Sequence, residues 1–551
     1  MSIYARATDA AAGAIPQLDL LTFLFDSPIS WATDVTVLHA EAADPSNAIT
    51  KAQARRLTRQ MAHTLRTRFG IGQHGSGKDI VVVMSTGQMM LPILFYAIVA
   101  AGGVASLASP SFKPDELARQ IQQGSAKLCI SCAATQDTLS STARLCGFPL
   151  HRCLVLESSN PWRLRMLTSP SHNNIIGEAE LDWQHITSKD ELENSVVCLL
   201  YSSGTTGPPK GVILSHTNMV AAACITGIKL RNYYRDNGRF EYRTLAHLPT
   251  AHVAGVQGYF IVPFYSGGTA YWMPKFDFVQ FLAYNQALRI TQFFSVPPIY
   301  LLIAKSPLVK DQFSSLKLAV AGAAPMGKDL QFEASQKLGV SIVQTWGLSE
   351  TTGSATLGDY SVEDLTGSTG ALLPQMEARV MDDDGRDCPP NIPGEIYVRG
   401  PIVAKGYHNN PEANAHTFKD GFCCTGDIGF FKNGLLYIVD RKKELIKYKG
   451  LQVAPAELEA VLISHPRIQD AGVIGVYDEE LATEVPRAYV VADKDVVSAE
   501  DIKEFVKSRL ASHKQLRGGV IFMTAIPKSP SGKILRKELR DMAVDPAKAK
   551  L

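Results

Sequence analysis

Residues 79–108 read DIVVVMSTGQMMLPILFYAIVAAGGVASLA, and their texture decides the fold class. The run DIVVVM predicts a buried strand, the apolar stretch near 88–101 a helix, and VASLA a second strand. Leu91 to Ala108 approaches the length of a membrane span. Pro92 near its start and Gly102-Gly103 in its middle divide it instead into buried helix, break and strand, so no span is expected. The same alternation continues outward with a helix near 113–123 and the strand KLCISC at 127–132. Strands alternating with helical crossovers predict parallel sheets, and this α/β texture runs through most of the first 440 residues.

From about Gly394 the pattern changes. GEIYVRG and GLLYIVD, with Asn433-Gly434 between neighbouring runs, predict hairpins and a small β-rich subdomain that closes the large domain. After Asp440-Arg441 come the charged stretch RKKELIKYKG, a helix PAELEAVLISH, strands AGVIGVY and RAYVVA, a helix over 499–512 and a strand GVIFM. That is a compact α+β unit large enough for its own core. Two domains are expected, 1–440 and 441–551, as a chain of 551 residues exceeds what one core usually supports.

Hydrophobic residues make up 46% and charged residues 20%, the balance of a folded globular protein. With 55 Lys and Arg against 53 Asp and Glu, the net charge of +2 draws the chain to neither nucleic acid nor acidic membrane. The nine cysteines are dispersed, and Asp9, Asp19 and Asp26 interrupt the first residues where a signal peptide would be apolar, so a reducing compartment is expected. Cys129 and Cys132 have C-x-x-C spacing without a second pair, which reads as a buried strand rather than a metal site.

Residues 199–216 read LLYSSGTTGPPKGVILSH, a strand, a loop of Ser, Thr and Gly with one Lys, and a second strand. Glycines let backbone N–H groups approach an anion, hydroxyls donate, and Lys210 adds charge. Triphosphate is the natural guest. Lys210 is followed by Gly211 rather than Ser or Thr, so this is not a Walker A loop.

SSGTTGPPKGV resembles the signature of the adenylate-forming superfamily, which includes acyl-CoA synthetases, coumarate-CoA ligases, peptide-synthetase adenylation domains and firefly luciferase. Further motifs follow in order: LPTAHVAG at 248–255, GAAPMGKDL at 322–330, QTWGLSE at 344–350, TGD at 425–427, DRKKELIKYKGLQVAPAELE at 440–459 and PKSPSGKILRKEL at 527–539. The resemblance covers nearly the whole chain and is nearest to the coumarate-CoA ligase-like acyl-CoA synthetases. It implies a large AMP-binding domain and a smaller, mobile C-terminal domain.

The resemblance also implies roles. Ser202, Ser203, Gly204, Thr205, Thr206, Gly207 and Lys210 would hold the phosphates. Glu350, with Thr206, would hold Mg²⁺, since a carboxylate beside triphosphate calls for a cation between them. Gly322, Ala323, Ala324, Gln344, Thr345, Trp346, Gly347 and Ser349 would line the nucleotide. Trp346 stands where the family often has Tyr, and Ser349 where it has Thr. Asp427 and Arg441 would take the ribose hydroxyls.

Lys533 resembles the lysine that bridges carboxylate and α-phosphate, and Lys443 matches the hinge about which the C-terminal domain turns between half-reactions. Lys447 and Gln452 resemble residues that approach the adenylate after that turn, with Lys449 and Gly450 beside coenzyme A. The Lys442 charge, and Lys449 by its own ordinary reading, belong to a wet basic strand face. His252 would orient the carboxylate; His216 and His247 read as structural. The acyl pocket would be formed by His252, Val253, Ala254, Gly258, Gly322, Ala323, Ala324, Thr345, Gly347, Leu348, Gly353 and Ser354. These residues are small and uncharged, which fits an uncharged aryl or medium aliphatic acid.

The expected activity is an acid-thiol ligation using ATP, Mg²⁺ and coenzyme A, through an acyl-adenylate. Loading of a separate carrier protein and a luciferase-like monooxygenase are the alternatives. AHVAG has no Asp to pair an amino-acid ammonium, and no carrier-protein segment follows, which favours free coenzyme A. Ala549-Lys550-Leu551 is a close variant of the peroxisomal tripeptide, so the peroxisome and its import receptor are expected as location and partner. The oligomeric state is not legible.

Overall fold

A computed structural model describes residues 14–159, 161–169, 173–202, 209–529 and 531–544, with Tyr4 and Ala5; of Tyr4, Ala5 and Ser202 only the backbone is described. Residues 79–108 form the heart of a seven-stranded sheet. Asp79–Met84 is buried throughout and pairs in parallel with Gly103–Ala108 on one side and Leu128–Cys132 on the other. Between the first two runs the helix Met90–Ala100, buried along its whole length, as expected of a helix hydrophobic all round. Among the described residues no helix is long and apolar enough to cross a membrane. Cys129 and Cys132 lie on the buried strand, and no group of three or more metal-ligating side chains occurs among the described residues.

Two strands bracket the Gly/Ser/Thr loop. Val196–Ser202 joins the parallel set, then Lys210–Ser215 returns antiparallel with Lys210 opposite Ser202, so both ends of the loop leave the sheet at one place. Gly211 packs closely there, since a β-carbon would lie 3.1 Å from the Tyr201 ring.

A second sheet begins with the parallel strands Gln292–Ser295, Leu318–Ala321 and Ile342–Leu348 and continues antiparallel through Gly353–Leu357 into the hairpin region. There Gly394–Arg399 pairs with Phe422–Lys432, which pairs with Leu435–Arg441. The turn between the last two has φ of 53° at Asn433 and 77° at Gly434. Both values are positive, the requirement of the tight hairpin turn that Asn-Gly suits. The turn pairs Lys432 with Leu435, and a bulge between Ile428 and Gly429 then shifts the register by one residue, so that Asp427 faces Arg441.

Beyond Arg441, the strands Ile468–Asp478, Thr483–Ala492 and Val520–Phe522 form a separate sheet, covered by helices Pro455–Ile463 and Ala499–Lys507. Ile446, Leu458, Leu462, Val473, Val490 and Val506 belong to a core cluster distinct from that of the large unit. The helix expected over 499–512 ends at Lys507, and Ser512–Lys514 make their own 3-10 turn. Its apolar face, Ile502 and Val506, is already buried by then, and Lys514 is drawn to Glu457 at 2.7 Å.

Candidate active site

A cavity of about 1370 Å³ lies where the large unit meets the C-terminal segment. Ser203, Gly204, Thr205, Thr206 and Gly207, with the Ser202 side chain, lie outside the described residues. Lys210, at the exit of that loop, lines the cavity. So do Trp346, Glu350, Asp427, Arg441 and Lys533, residues that are far apart in sequence.

Asp427 is the most thoroughly anchored of these. Its N–H donates to Thr425 Oγ1, and the hairpin register brings Arg441 Nε to 2.6 Å from Oδ1. The indole Nε1 of Trp346 donates to Oδ2 at 2.8 Å. The indole N–H of Trp346 is therefore committed to the carboxylate.

The strand carrying Trp346 is fixed by its own polar side chains. Gln344 Nε2 donates to Gln331 Oε1 at 2.9 Å, and Thr345 Oγ1 donates to the Thr356 carbonyl at 2.6 Å. These side chains hold the strand, and Gln344, Thr345 and Trp346 all line the cavity. At Gly347 a β-carbon would sit 1.9 Å from the Gly353 carbonyl, so only glycine lets the two strands close. Ser349 and Glu350 follow, buried, in a short 3-10 turn. Glu350 Oε1 accepts a hydrogen bond from the Tyr407 hydroxyl at 2.7 Å.

Lys533 enters from the C-terminal side on a tight turn. Ser529 N–H donates to the Lys533 carbonyl at 2.8 Å, and Lys533 N–H to Ser529 Oγ at 3.2 Å. The turn is seated on the large unit, since a β-carbon on Gly532 would meet Val296 and Pro298 at 3.1 and 3.2 Å. Burial first, and then the Arg441 guanidinium, hold the Lys533 ammonium below the ordinary lysine range, while Asp427 and Glu350 pull the other way. His252 also lines the cavity. Its Nδ1 accepts from Ala254 N–H at 3.3 Å, so the neutral ring carries its proton on Nε2. Burial, with Lys533 nearby, pushes its pKa down to about 3. His216 and His247 are buried structural groups, the first accepting from Leu20 N–H and the second set between the Leu245 carbonyl and Ser295.

Lys443 borders the same cavity, and partial burial together with Arg441 pushes it down to about 8. Its neighbour Lys442, expected as a solvated charge, instead pairs with Asp383 at 2.8 Å and Glu395 at 2.9 Å. Lys447, Gln452, Lys449 and Gly450 sit on or at the turn of the hairpin Ile446–Tyr448 and Leu451–Val453, with exposed side chains at Lys447, Gln452 and Lys449. Lys447 N–H donates to Glu484 Oε2, and φ of 45° at Lys449 and 81° at Gly450 form the turn.

The acyl-pocket residues separate into groups. Ala323, Ala324, Thr345, Gly347 and Leu348 line the cavity. Val253 is packed in the core, 2% exposed. Gly322 opens no space, since a β-carbon would lie 2.8 Å from Thr345 and 3.0 Å from the Phe294 ring. Beside Gly258 a β-carbon would meet nothing within 4 Å, and beside Gly353 only Gln257, at 3.8 Å. Ser354 Oγ lies 2.8 Å from Thr345 Oγ1. The segment Val256–Ile261 is a π-helix, a widened turn frequent at functional sites.

Tyr407 and Lys442 were missed as site residues by the sequence reading. Each makes its contacts with residues remote in sequence; Tyr407 lies outside the quoted motifs, and Lys442, inside the one at 440–459, was expected as a solvated charge.

Residues 31–408 match the profile of the AMP-binding enzyme family, and residues 457–533 that of the AMP-binding enzyme C-terminal domain. A putative acyl-coenzyme A synthetase of Emericella nidulans is 48% identical over 96% of this chain and 96% of its own length. A phenylacetyl-CoA ligase of Aspergillus niger is 36% identical over 96% of this chain and 97% of its own. Among solved structures, ATP-bound MatB from Rhodopseudomonas palustris aligns with a TM-score of 0.82 at 27% identity, over 96% of this chain and 99% of that one. Its ligand-free form aligns over the same shares with a TM-score of 0.72.

Proposed function

We propose, from the premise that the chain belongs to the AMP-binding enzyme family and is an AMP-forming acyl-CoA ligase, that it activates an uncharged aryl or medium aliphatic acid. The observation that carries the reading is Lys533, held in the cavity beside Asp427 and Arg441 by a turn that packs on the large unit. A lysine so placed can neutralise the acid's carboxylate while the ribose is held a few ångströms away.

In the first half-reaction an oxygen of the carboxylate attacks the α-phosphorus of ATP and pyrophosphate leaves. Asp427 and Arg441 hold the ribose, Lys210 with Thr205 and Thr206 the phosphates, and neutral His252 orients the acid. In the second, the sulfur of coenzyme A attacks the acyl carbon, its proton is released and AMP leaves, so no enzyme nucleophile is needed.

A divalent cation fits the donor set. Glu350 is one of several buried carboxylates lining the cavity, and Mg²⁺ commonly takes one or two carboxylates plus phosphate oxygens and waters. Glu350, with Thr206, would hold it, and when bound it supplies charge neutralisation on the phosphates.

The acid class is supported by the uncharged lining at Ala323, Ala324 and Leu348 and by the open space beside Gly258. The phenylacetyl-CoA ligase named above is consistent with an aryl acid. The exposed face bearing Lys447, Gln452, Lys449 and Gly450 is read as the one that turns in for the second half-reaction, about a hinge near Lys443 between units 1–440 and 441–551. The closer alignment with the ATP-bound neighbour favours the present arrangement as that of adenylation. Ala549-Lys550-Leu551 lies outside the described residues; where Leu551 is the terminus, a peroxisomal import receptor would read it.

The test is pyrophosphate release across aryl, fatty and dicarboxylic acids with MgATP, followed by thioester analysis with coenzyme A. Release with aryl or medium-chain acids and a coenzyme A product supports the proposal. Preference for a dicarboxylic acid contradicts the acid class, and product formed only on an added carrier protein contradicts the acceptor.

A further inference from the structure

We infer that Tyr407 is a positioning residue that braces Glu350 and Lys210 together, so that the carboxylate and the ammonium meet one nucleotide in fixed register. The inference rests on the reading that Glu350 serves a divalent cation and Lys210 the phosphates.

The segment holding Tyr407 is fastened to the strand that leaves the phosphate loop. Ile213 N–H donates to the Gly406 carbonyl at 2.9 Å, His408 N–H to the Gly211 carbonyl at 2.8 Å, and Val212 and Tyr407 form a bridge between the two. Asn414 then clamps the tyrosine's own backbone. Tyr407 N–H donates to Asn414 Oδ1 at 2.6 Å, and Asn414 Nδ2 donates to the Tyr407 carbonyl at 3.1 Å. Phe418 packs edge-on against the ring at 5.6 Å. The side chain therefore has little freedom, and it is 6% exposed.

From this fixed base Tyr407 makes two contacts into the site. Its hydroxyl donates to Glu350 Oε1 at 2.7 Å, and its ring lies under Lys210, with Nζ 5.0 Å from the centroid. The second distance is within the range of a cation–π attraction. The Glu350 backbone is tied to the same loop, since Ala404 N–H donates to the Glu350 carbonyl at 2.8 Å. A buried carboxylate with a fixed donor on one oxygen presents the other oxygen in one orientation, as outer partners of metal ligands do.

The two contacts can be separated. Tyr407→Phe removes the hydroxyl and keeps the ring; Tyr407→Leu removes both. ATP binding is measured by calorimetry in MgCl₂ and in EDTA, beside the melting temperature of each ligand-free protein. For Y407F we expect unchanged melting within a few degrees, binding weakened about tenfold or more in MgCl₂, and about twofold or less in EDTA. Y407L should also lose roughly three- to tenfold in EDTA through Lys210. In the Glu350→Gln background Y407F should add almost nothing, because the tyrosine acts through that carboxylate.

Equal losses for Y407F in both buffers, no loss in either, or full additivity with E350Q would overturn the brace. A wild-type protein whose ATP binding ignores Mg²⁺ would remove the reading of Glu350 and the inference with it. A Mg²⁺-dependent wild type with an indifferent Y407F would remove the inference alone.

Discussion

Trp346 and Arg441 divide the Asp427 carboxylate between them: the indole N–H takes Oδ2 at 2.8 Å and the guanidinium Nε takes Oδ1 at 2.6 Å. An ionised carboxylate has about four lone-pair sites. Two protein donors therefore leave one site on each oxygen, which matches the two hydroxyls of the ribose proposed to bind there. The indole thus fixes the plane in which the remaining sites lie, a service a benzene ring cannot give.

Trp346→Phe should accordingly raise the KM for ATP by about tenfold, the cost of losing a hydrogen bond to a charged group, with a smaller change in kcat. With 2′-deoxy-ATP the penalty should shrink, because the hydroxyl that reads the carboxylate's orientation is gone. Steady-state pyrophosphate release with the two nucleotides checks this, and an equal penalty for both contradicts it.

Lys447→Ala should spare adenylation: its exposed side chain borders the cavity, but the role proposed for it belongs to the second half-reaction. Thioester formation from supplied acyl-adenylate and coenzyme A should fall by at least about tenfold. Rapid-quench measurement of that half-reaction decides it. An unimpaired second step removes the residue from the mechanism.

The C-terminal unit depends on a buried ion pair. Arg536 Nη2 lies 2.8 Å from Glu459 Oε2, both side chains being largely buried, and Val473 N–H donates to the same carboxylate. Removing one member leaves a buried charge unpaired, a loss of about 3–5 kcal/mol. Arg536→Ala should therefore lower the denaturation midpoint markedly in urea titration, whereas Glu459→Gln with Arg536→Met should recover part of the loss.

Four histidines are held neutral by burial, His39 and His252 at about 3, His216 and His247 at about 4. Their folded values lie below the ordinary value near 6.5, so the unfolded chain binds more protons between about pH 6.5 and 4. Stability should therefore fall on acidification through that window, each histidine adding up to about 1.4 kcal/mol per pH unit to the slope. His247→Asn should reduce the slope of stability against pH, measured by urea titration at each pH. An unchanged slope contradicts the assignment of a buried neutral ring.

Much of this was legible in the sequence because it is local. The β–α–β texture of 79–108 and the Asn433-Gly434 turn are fixed by nearest neighbours and period, whereas the pairing of Asp427 with Arg441 also needs the bulge between Ile428 and Gly429, which no local signal marks. The helix end at Lys507 was not legible, since it depends on which side chains the folded unit buries, here Ile502 and Val506. Tyr407 escaped for the same reason: its meaning comes from Glu350 and Lys210, which only the folded chain brings to it. Gly322 and Val253 show the converse, motif positions whose side chains or lack of them serve packing.

The central claim is that Lys533 serves adenylation in the arrangement seen here, and Lys533→Ala tests it in the two half-reactions measured separately. The account predicts acid-dependent pyrophosphate release reduced by about a hundredfold or more, with thioester formation from supplied acyl-adenylate largely retained. Equal loss in both half-reactions, or an unaffected first one, would contradict it.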